Sequence, residues 1–204
     1  MVRLYEGQRW VVLRSFSART AHPYDSEVRE NGRINHPSLD LVASPDLVDR
    51  VPEIAEFPGL RAVLCAANHP EGEVRSTQCA PGLVQRSDGK ISAGAVVNLA
   101  LLHDTANLDP SNLIDLAARI AQALGPLDES LGVRLIVEPY RSWQGQDGYW
   151  SVALEFAGIG DDKQSAWAAA HRCADLVAEA IRTAAKQPKT IGAVANSGEW
   201  LARR

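Results

Sequence analysis

The side chains best suited to chemistry are three cysteines and five histidines. Cys65 and His69 stand four apart, with Cys79, His103 and the His171/Cys173 pair further along. Zinc favours cysteine and histidine, but a structural site needs a second spaced pair such as C-x2-C or H-x3-H, and none follows. His171 and Cys173 sit two apart on a helical pattern, about 200° around the axis, so they do not share a face. Cys79 beside His69 or His103 is a conceivable nucleophile–base dyad, and these three are the candidate catalytic residues. No G-x-S-x-G elbow or comparable activating pattern surrounds them. His103 with Asp104, and Glu71 with Glu73, are acid–base neighbours in loops. The plainer reading is buried thiols and scattered histidines, with no metal and no cofactor.

A different signal lies at 140–150. Tyr140, Trp143, Tyr149 and Trp150 are four of the chain's nine Trp and Tyr residues, and they bracket a polar tip at 144–148. Aromatic rings bring much area with few rotatable bonds, so they serve cores and contact surfaces alike. Arg141 would add charge beside stacking rings. The candidate binding residues are therefore Tyr140, Arg141, Trp143 and Tyr149. Gly158-Ile159-Gly160 precedes a helix start, where phosphate loops occur. A lone G-x-G is weak, and Asp161 and Asp162 would repel a phosphate, so a plain turn is expected. The polar stretch 17–38 carries His22, Tyr24, Asp25 and His36 around an Asn31-Gly32 turn signal, and reads as a solvated ribbon or a partner-contacting arm. The terminal Trp200-Leu201 and Arg203-Arg204 would dock on the chain's own core or on a neighbour.

Composition narrows the classes. The 204 residues carry a net charge of −4, which speaks against a basic footprint for duplex nucleic acid. The longest apolar run, 93–102, is broken by Asn98 and too short for a bilayer. No signal-type apolar stretch follows the first residues. Three cysteines cannot close a disulfide framework, and a reducing, cytoplasmic setting is expected.

The elements that must position these residues follow from periodicity. Short strands are expected at 2–5 and 9–16. Val28 to Glu30 and Arg33 to Ile34 should flank the Asn31-Gly32 turn. Ser44-Pro45 opens a helix to about Phe57, shortened or kinked by Pro52. The spacing predicts strands over 60–67 and, more weakly, 73–79. Leu83–Arg86 and Lys90–Leu102 flank a hairpin turn at 87–89. Asp109-Pro110 caps a helix with the stripe Leu113, Leu116, Ala117, Ile120 and Leu124, and Gly125-Pro126 ends it. A second helix runs from Asp161, with Gln164 completing a capping box, to about Lys186. Its stripe is Trp167, Ala170, Ala174, Val177, Ile181 and Ala184. A closing strand at 190–195 and a turn capped by Asn196 and Glu199 are further expectations.

Two strands can be aligned against each other. With Tyr140 opposite Tyr149, Val137 faces Val152, Leu135 faces Leu154 and Val133 faces Phe156 on one side. Arg134 then meets Glu155 on the other. A slip by one residue destroys both matches. This register puts the tyrosines on the more polar face and turns Trp150 to the core. The order β-α-β-β-α from Lys90 is the split βαβ, or ferredoxin-like, pattern. One α+β domain over 1–204 is expected, with a mostly antiparallel sheet and two main helices on one face. A subdivision into a strand-rich 1–86 and a β-α-β-β-α part at 87–204 is the alternative.

These observations favour a non-enzymatic binding or assembly module, the expected partners being a second copy, as a homo-oligomer, or another protein met through the 140–150 hairpin. A small enzyme with a His/Cys cleft is one alternative. Weak single-strand nucleic-acid binding on the open sheet face, around Arg134 and Arg141, is another.

Overall fold

A computed structural model describes residues 1–7, 9–16, 21–22, 27–28, 34–35, 39–142 and 148–186. The Asn31-Gly32 turn, Trp143 and the expected elements beyond Lys186 lie outside the described residues. Six strands form one sheet in the order β1 (Val2–Gly7), β2 (Trp10–Arg14), β8 (Leu131–Ser142), β9 (Tyr149–Gly160), β7 (Ile91–Leu101), β6 (Val74–Gln85). Only β2 and β8 run parallel among these neighbours, so the sheet is mostly antiparallel and draws on both halves of the chain. The short β3 (Ala21–His22) pairs in parallel with Arg141 and Ser142 of β8. Strands β4 (Glu27–Val28) and β5 (Ile34–Asn35) pair separately.

The β8–β9 register is the aligned one. Tyr140 pairs with Tyr149, Val137 with Val152, Leu135 with Leu154, Val133 with Phe156 and Arg134 with Glu155. β7 joins β9 on its far side, and α3 (Pro110–Leu124) carries the chain from β7 over to β8. Helix α3 begins as expected. The Asp109 carboxylate accepts from the Ser111 amide at 2.9 Å, Pro110 occupies the first turn, and Gly125 leaves the helix at φ 62°.

Four expectations are corrected. Residues 60–67 are helix α2 (Leu60–Ala67), not a strand. Leu60, Val63, Leu64 and Ala67 have helical spacing, and α2 packs against α4 (Lys163–Lys186) and β6. The segment 45–57 breaks at Pro52 as expected, but its first part is a 3₁₀ turn (Pro45–Arg50) and its second only the single turn α1 (Glu53–Glu56). The weak strand at 73–79 and the one at 83–86 are a single strand, β6, with a bulge between Ser76 and Gln78. Pro81 is tolerated there because β6 is an edge. Finally, Gly158-Ile159-Gly160 is the end of β9 and not a turn.

Helix α4 (Lys163–Lys186) explains those glycines. A Cβ at Gly158 would stand 2.1 Å from the Ala170 amide nitrogen, and one at Gly160 would stand 2.3 Å from the Ser165 hydroxyl oxygen. Bare backbone in β9 and alanines at 166, 169 and 170 let α4 lie directly on the strand. The cap is shifted by one residue from the expected Asp161/Gln164 box. The Asp162 carboxylate accepts from the Ser165 amide at 2.7 Å, and the Ser165 hydroxyl oxygen accepts from the Asp162 amide. The Ser165 amide first, and then the Ser165 hydroxyl donating to the same carboxylate at 2.9 Å, hold the Asp162 carboxyl below its ordinary range.

Helices α2, α3 and α4 all cover one face of the sheet, and the core lies between. Arg119 of α3 is buried within it. Its guanidinium pairs with Glu73 and with Asp115 (3.0 Å), and it donates to the Ala184 carbonyl at 2.5 Å in the last turn of α4. Among the described residues no helix is long and apolar enough to cross a membrane.

Candidate functional site

The root of the β8–β9 hairpin has two unlike faces. On the helix-free face the Tyr140 and Tyr149 rings meet with centroids 5.9 Å apart, tilted by 57°. Both are buried. Burial pushes the Tyr140 hydroxyl up to about 12, with nearby Asp104 and Tyr149 adding to the rise and Arg75 opposing it. One step down the strands Glu138 pairs with Ser151, then Ile136 with Ala153, and all four are buried. Arg75, on β6, donates to Asp104 at 2.5 Å beside this group. The face is indeed the one with polar side chains, but here it is interior. The tyrosines are thus on the expected face without being open to a partner. Burying two rings with their hydroxyls in polar company stiffens the hairpin from within. The Arg141 backbone is extended in β8, and Trp143 lies outside the described residues.

The helix-side face at the same root is open. Trp150, opposite Pro139, is half-buried on the edge of the core. The Arg14 guanidinium lies 4.9 Å from its ring centroid and 5.1 Å from that of Phe16. Phe16 is 64% exposed. Val2, paired with Arg14 across β1 and β2, and Met1 before it are also exposed. A cation held between two rings gains attraction from both π faces. Sequence reasoning placed Trp150 in the core and passed over Arg14 and Phe16. The available signal was their two-residue spacing at the end of a strand, which puts both on one face.

The cysteine and histidine candidates differ in exposure. His69 is exposed after α2, where its Nδ1 accepts from the Glu71 amide at 3.2 Å. His103 is exposed beyond β7. Burial, helped by the charge of Glu53, pushes the Cys79 thiol up to about 12, so at neutral pH it stays protonated and is a poor nucleophile. No hydrogen bond joins any two of these three. Burial likewise pushes Cys173 up to about 11, and the His171 ring packs edge-to-face with Phe57, centroids 5.0 Å apart. Cys65 is exposed on α2. Among the described residues no three His, Cys, Asp or Glu side chains gather as a metal site would require.

Away from the hairpin root, the helix-free face is a trough of about 840 Å³. Its lining includes Arg9, Ala80, Gly82, Gly94, Arg134 and Glu155. Arg134 is engaged by Glu155. The floor is made of small side chains. The Trp10 indole at its border is held by the Gly125 carbonyl at 3.1 Å. Compared with family models, curated proteins and solved structures, the chain matches none.

Proposed function

We propose that this chain is a non-enzymatic binding or assembly module that meets a protein partner at the β8–β9 hairpin, on the side of Trp150. The observation that carries the reading is the Arg14 guanidinium stacked between Trp150 and a largely exposed Phe16. Arginine and aromatic residues dominate the energetics of interfaces, and a prestacked guanidinium loses little freedom when a partner arrives. Met1 and Val2 enlarge the apolar area beside it. In this reading Arg141 and Trp143 extend the contact toward the tip, while Tyr140 and Tyr149 anchor the hairpin. The depressed reactivity of Cys79, and the absence of a hydrogen bond joining it to His69 or His103, favour binding over catalysis. A cytoplasmic setting accords with three free thiols. We read β7–α3–β8–β9–α4 as a ferredoxin-like unit in which β6 takes the place beside β7.

The test compares wild type with a Phe16→Ser/Trp143→Ala variant as quantitative baits for captured proteins. Circular dichroism and melting should be unchanged. At least one protein held by the wild type should fall tenfold or more, which corresponds to about 1.4 kcal/mol. Identical capture by both baits removes the hairpin from the proposal.

A further inference from the structure

The two edges of the sheet are built differently. β1 carries a bulge between Arg3 and Tyr5 and an exposed Arg3–Glu6 ion pair at 2.5 Å. Bulges and charges of this kind block pairing with another chain. β6, on the opposite side, has neither protection in its last half. From Ser76 to Gln85 it holds no charged residue, and Val84 is 63% and Leu83 39% exposed. Among the described residues nothing pairs with its outer edge.

The ladder determines which backbone groups face outward. The Arg86 amide donates to the Lys90 carbonyl at 2.8 Å, so Arg86 bonds inward to the β7 side. By alternation Val84, Gly82 and Ala80 also bond inward, and Pro81, Leu83 and Gln85 turn their backbone groups out. Pro81 has no N–H to offer, which leaves Leu83 and Gln85 as the open donors and acceptors.

We infer that this edge pairs with itself across a two-fold axis, making the protein a homodimer whose two sheets join through β6. In the antiparallel register that uses the open groups, Leu83 bonds with the partner's Gln85 and Gln85 with the partner's Leu83. Val84 then meets the partner's Val84 at the axis, as a non-hydrogen-bonded pair with Cα atoms about 4.5 Å apart. Arg86 falls opposite the partner's Gly82. A Cβ added at Gly82 would meet nothing within 4 Å, so the arginine stem has room there. A slip that sets Leu83 against the partner's Leu83 brings Pro81 opposite Gln85 and forfeits a hydrogen bond at each end. The contact is isologous and closes at two copies, because β1 offers no comparable edge. This surface is separate from the Phe16–Arg14–Trp150 stack, and the two proposals stand or fall independently.

Light scattering on the full chain should give twice 22.1 kDa, and Val84→Lys should give 22.1 kDa with its circular dichroism retained. Should that variant not fold, disulfide trapping decides. Val84→Cys in a Cys65→Ser background should cross-link under mild oxidation, whereas Val2→Cys at the other edge should not. A wild type of single-chain mass overturns the inference. So does a Val84→Lys dimer, or Val84→Cys protein that stays uncross-linked. A chain ending at Lys186 that dimerises when the full chain does not would also overturn it, by showing that residues after 186 occupy the edge.

Discussion

Arg119→Met should be among the most damaging single substitutions in this chain. Arg119 is 2% exposed, and its guanidinium serves three acceptors drawn from different elements. Asp115 is one helical turn earlier and almost wholly buried, Glu73 leads into β6 and is about one-quarter exposed, and Ala184 lies in the last turn of α4. The last four carbonyls of a helix have no partner within it, so the Ala184 carbonyl depends on an outside donor. Methionine keeps much of the apolar stem but removes every N–H. Glu73 can turn toward water, whereas Asp115 and the carbonyl cannot. Leaving a buried charge without its counterion costs about 3–5 kcal/mol. For a chain of this size that lowers the melting temperature by on the order of 10 °C. Urea unfolding followed by circular dichroism measures the loss. The Asp115→Leu change in the same background should recover a substantial part of it, since removing both members of a buried pair is often close to neutral. If Arg119→Met lies within about 1 kcal/mol of wild type, or if the two changes are additive, the network does not hold the helices as argued.

Other outcomes follow from single contacts. In the native protein a thiol reagent should label Cys65 rapidly and Cys79 and Cys173 slowly, because burial raises their thiols to about 12 and 11; Cys65→Ser should abolish the fast phase, and all three cysteines should react after unfolding. Gly158→Ala forces a methyl onto the α4 backbone and should cost at least about 1–3 kcal/mol, whereas Gly132→Ala, whose nearest neighbour would be 4.0 Å away, should be tolerated in the same unfolding assay. The Asp162 carboxyl is depressed in the folded state, so its stabilising contribution is present above the ordinary aspartate range and lost as pH falls through the folded value. Asp162→Asn should accordingly flatten the acid limb of a melting-temperature profile, and an unchanged acid limb would show that the cap contributes nothing.

What could be read beforehand was whatever two independent patterns had to satisfy at once. The β8–β9 register had apolar matches on one face and Arg134 with Glu155 on the other, and no second alignment served both. The α3 start combined a capping aspartate, a first-turn proline and a five-residue stripe. Residues 60–67 lacked such redundancy. Leu-Arg-Ala-Val-Leu-Cys-Ala-Ala is short and apolar, and helix and strand differ there only in which side is buried. Contact with α4 decided it. Gly158 and Gly160 looked like a turn because a glycine's cause lies in its neighbours, and the neighbour here is a helix backbone. Arg119 drew no reading from the sequence, because nothing nearby in the chain announces Glu73 or Ala184 as its partners.

The aromatic cluster was legible as a place but not as a surface. Strand alternation fixed which residues share a face, and it assigned Tyr140 and Tyr149 correctly to the side of Arg134 and Glu155. Alternation carries no information about whether a face is covered. Ile136, Ala153, Glu138 and Ser151 are all buried on that supposedly outer side. The opposite face, apolar in pattern and therefore taken for core throughout, runs out of helix cover at Trp150 and Phe16. Two consequences separate cleanly. Tyr149→Ala removes a buried ring and should destabilise the protein by about 3–5 kcal/mol, the range for deleting a buried aromatic side chain. Phe16→Ser removes an exposed one and should leave unfolding within about 0.5 kcal/mol of wild type while weakening partner capture. If the order is reversed, with Phe16→Ser the more destabilising, then Phe16 completes the core and the helix-side root offers no contact surface.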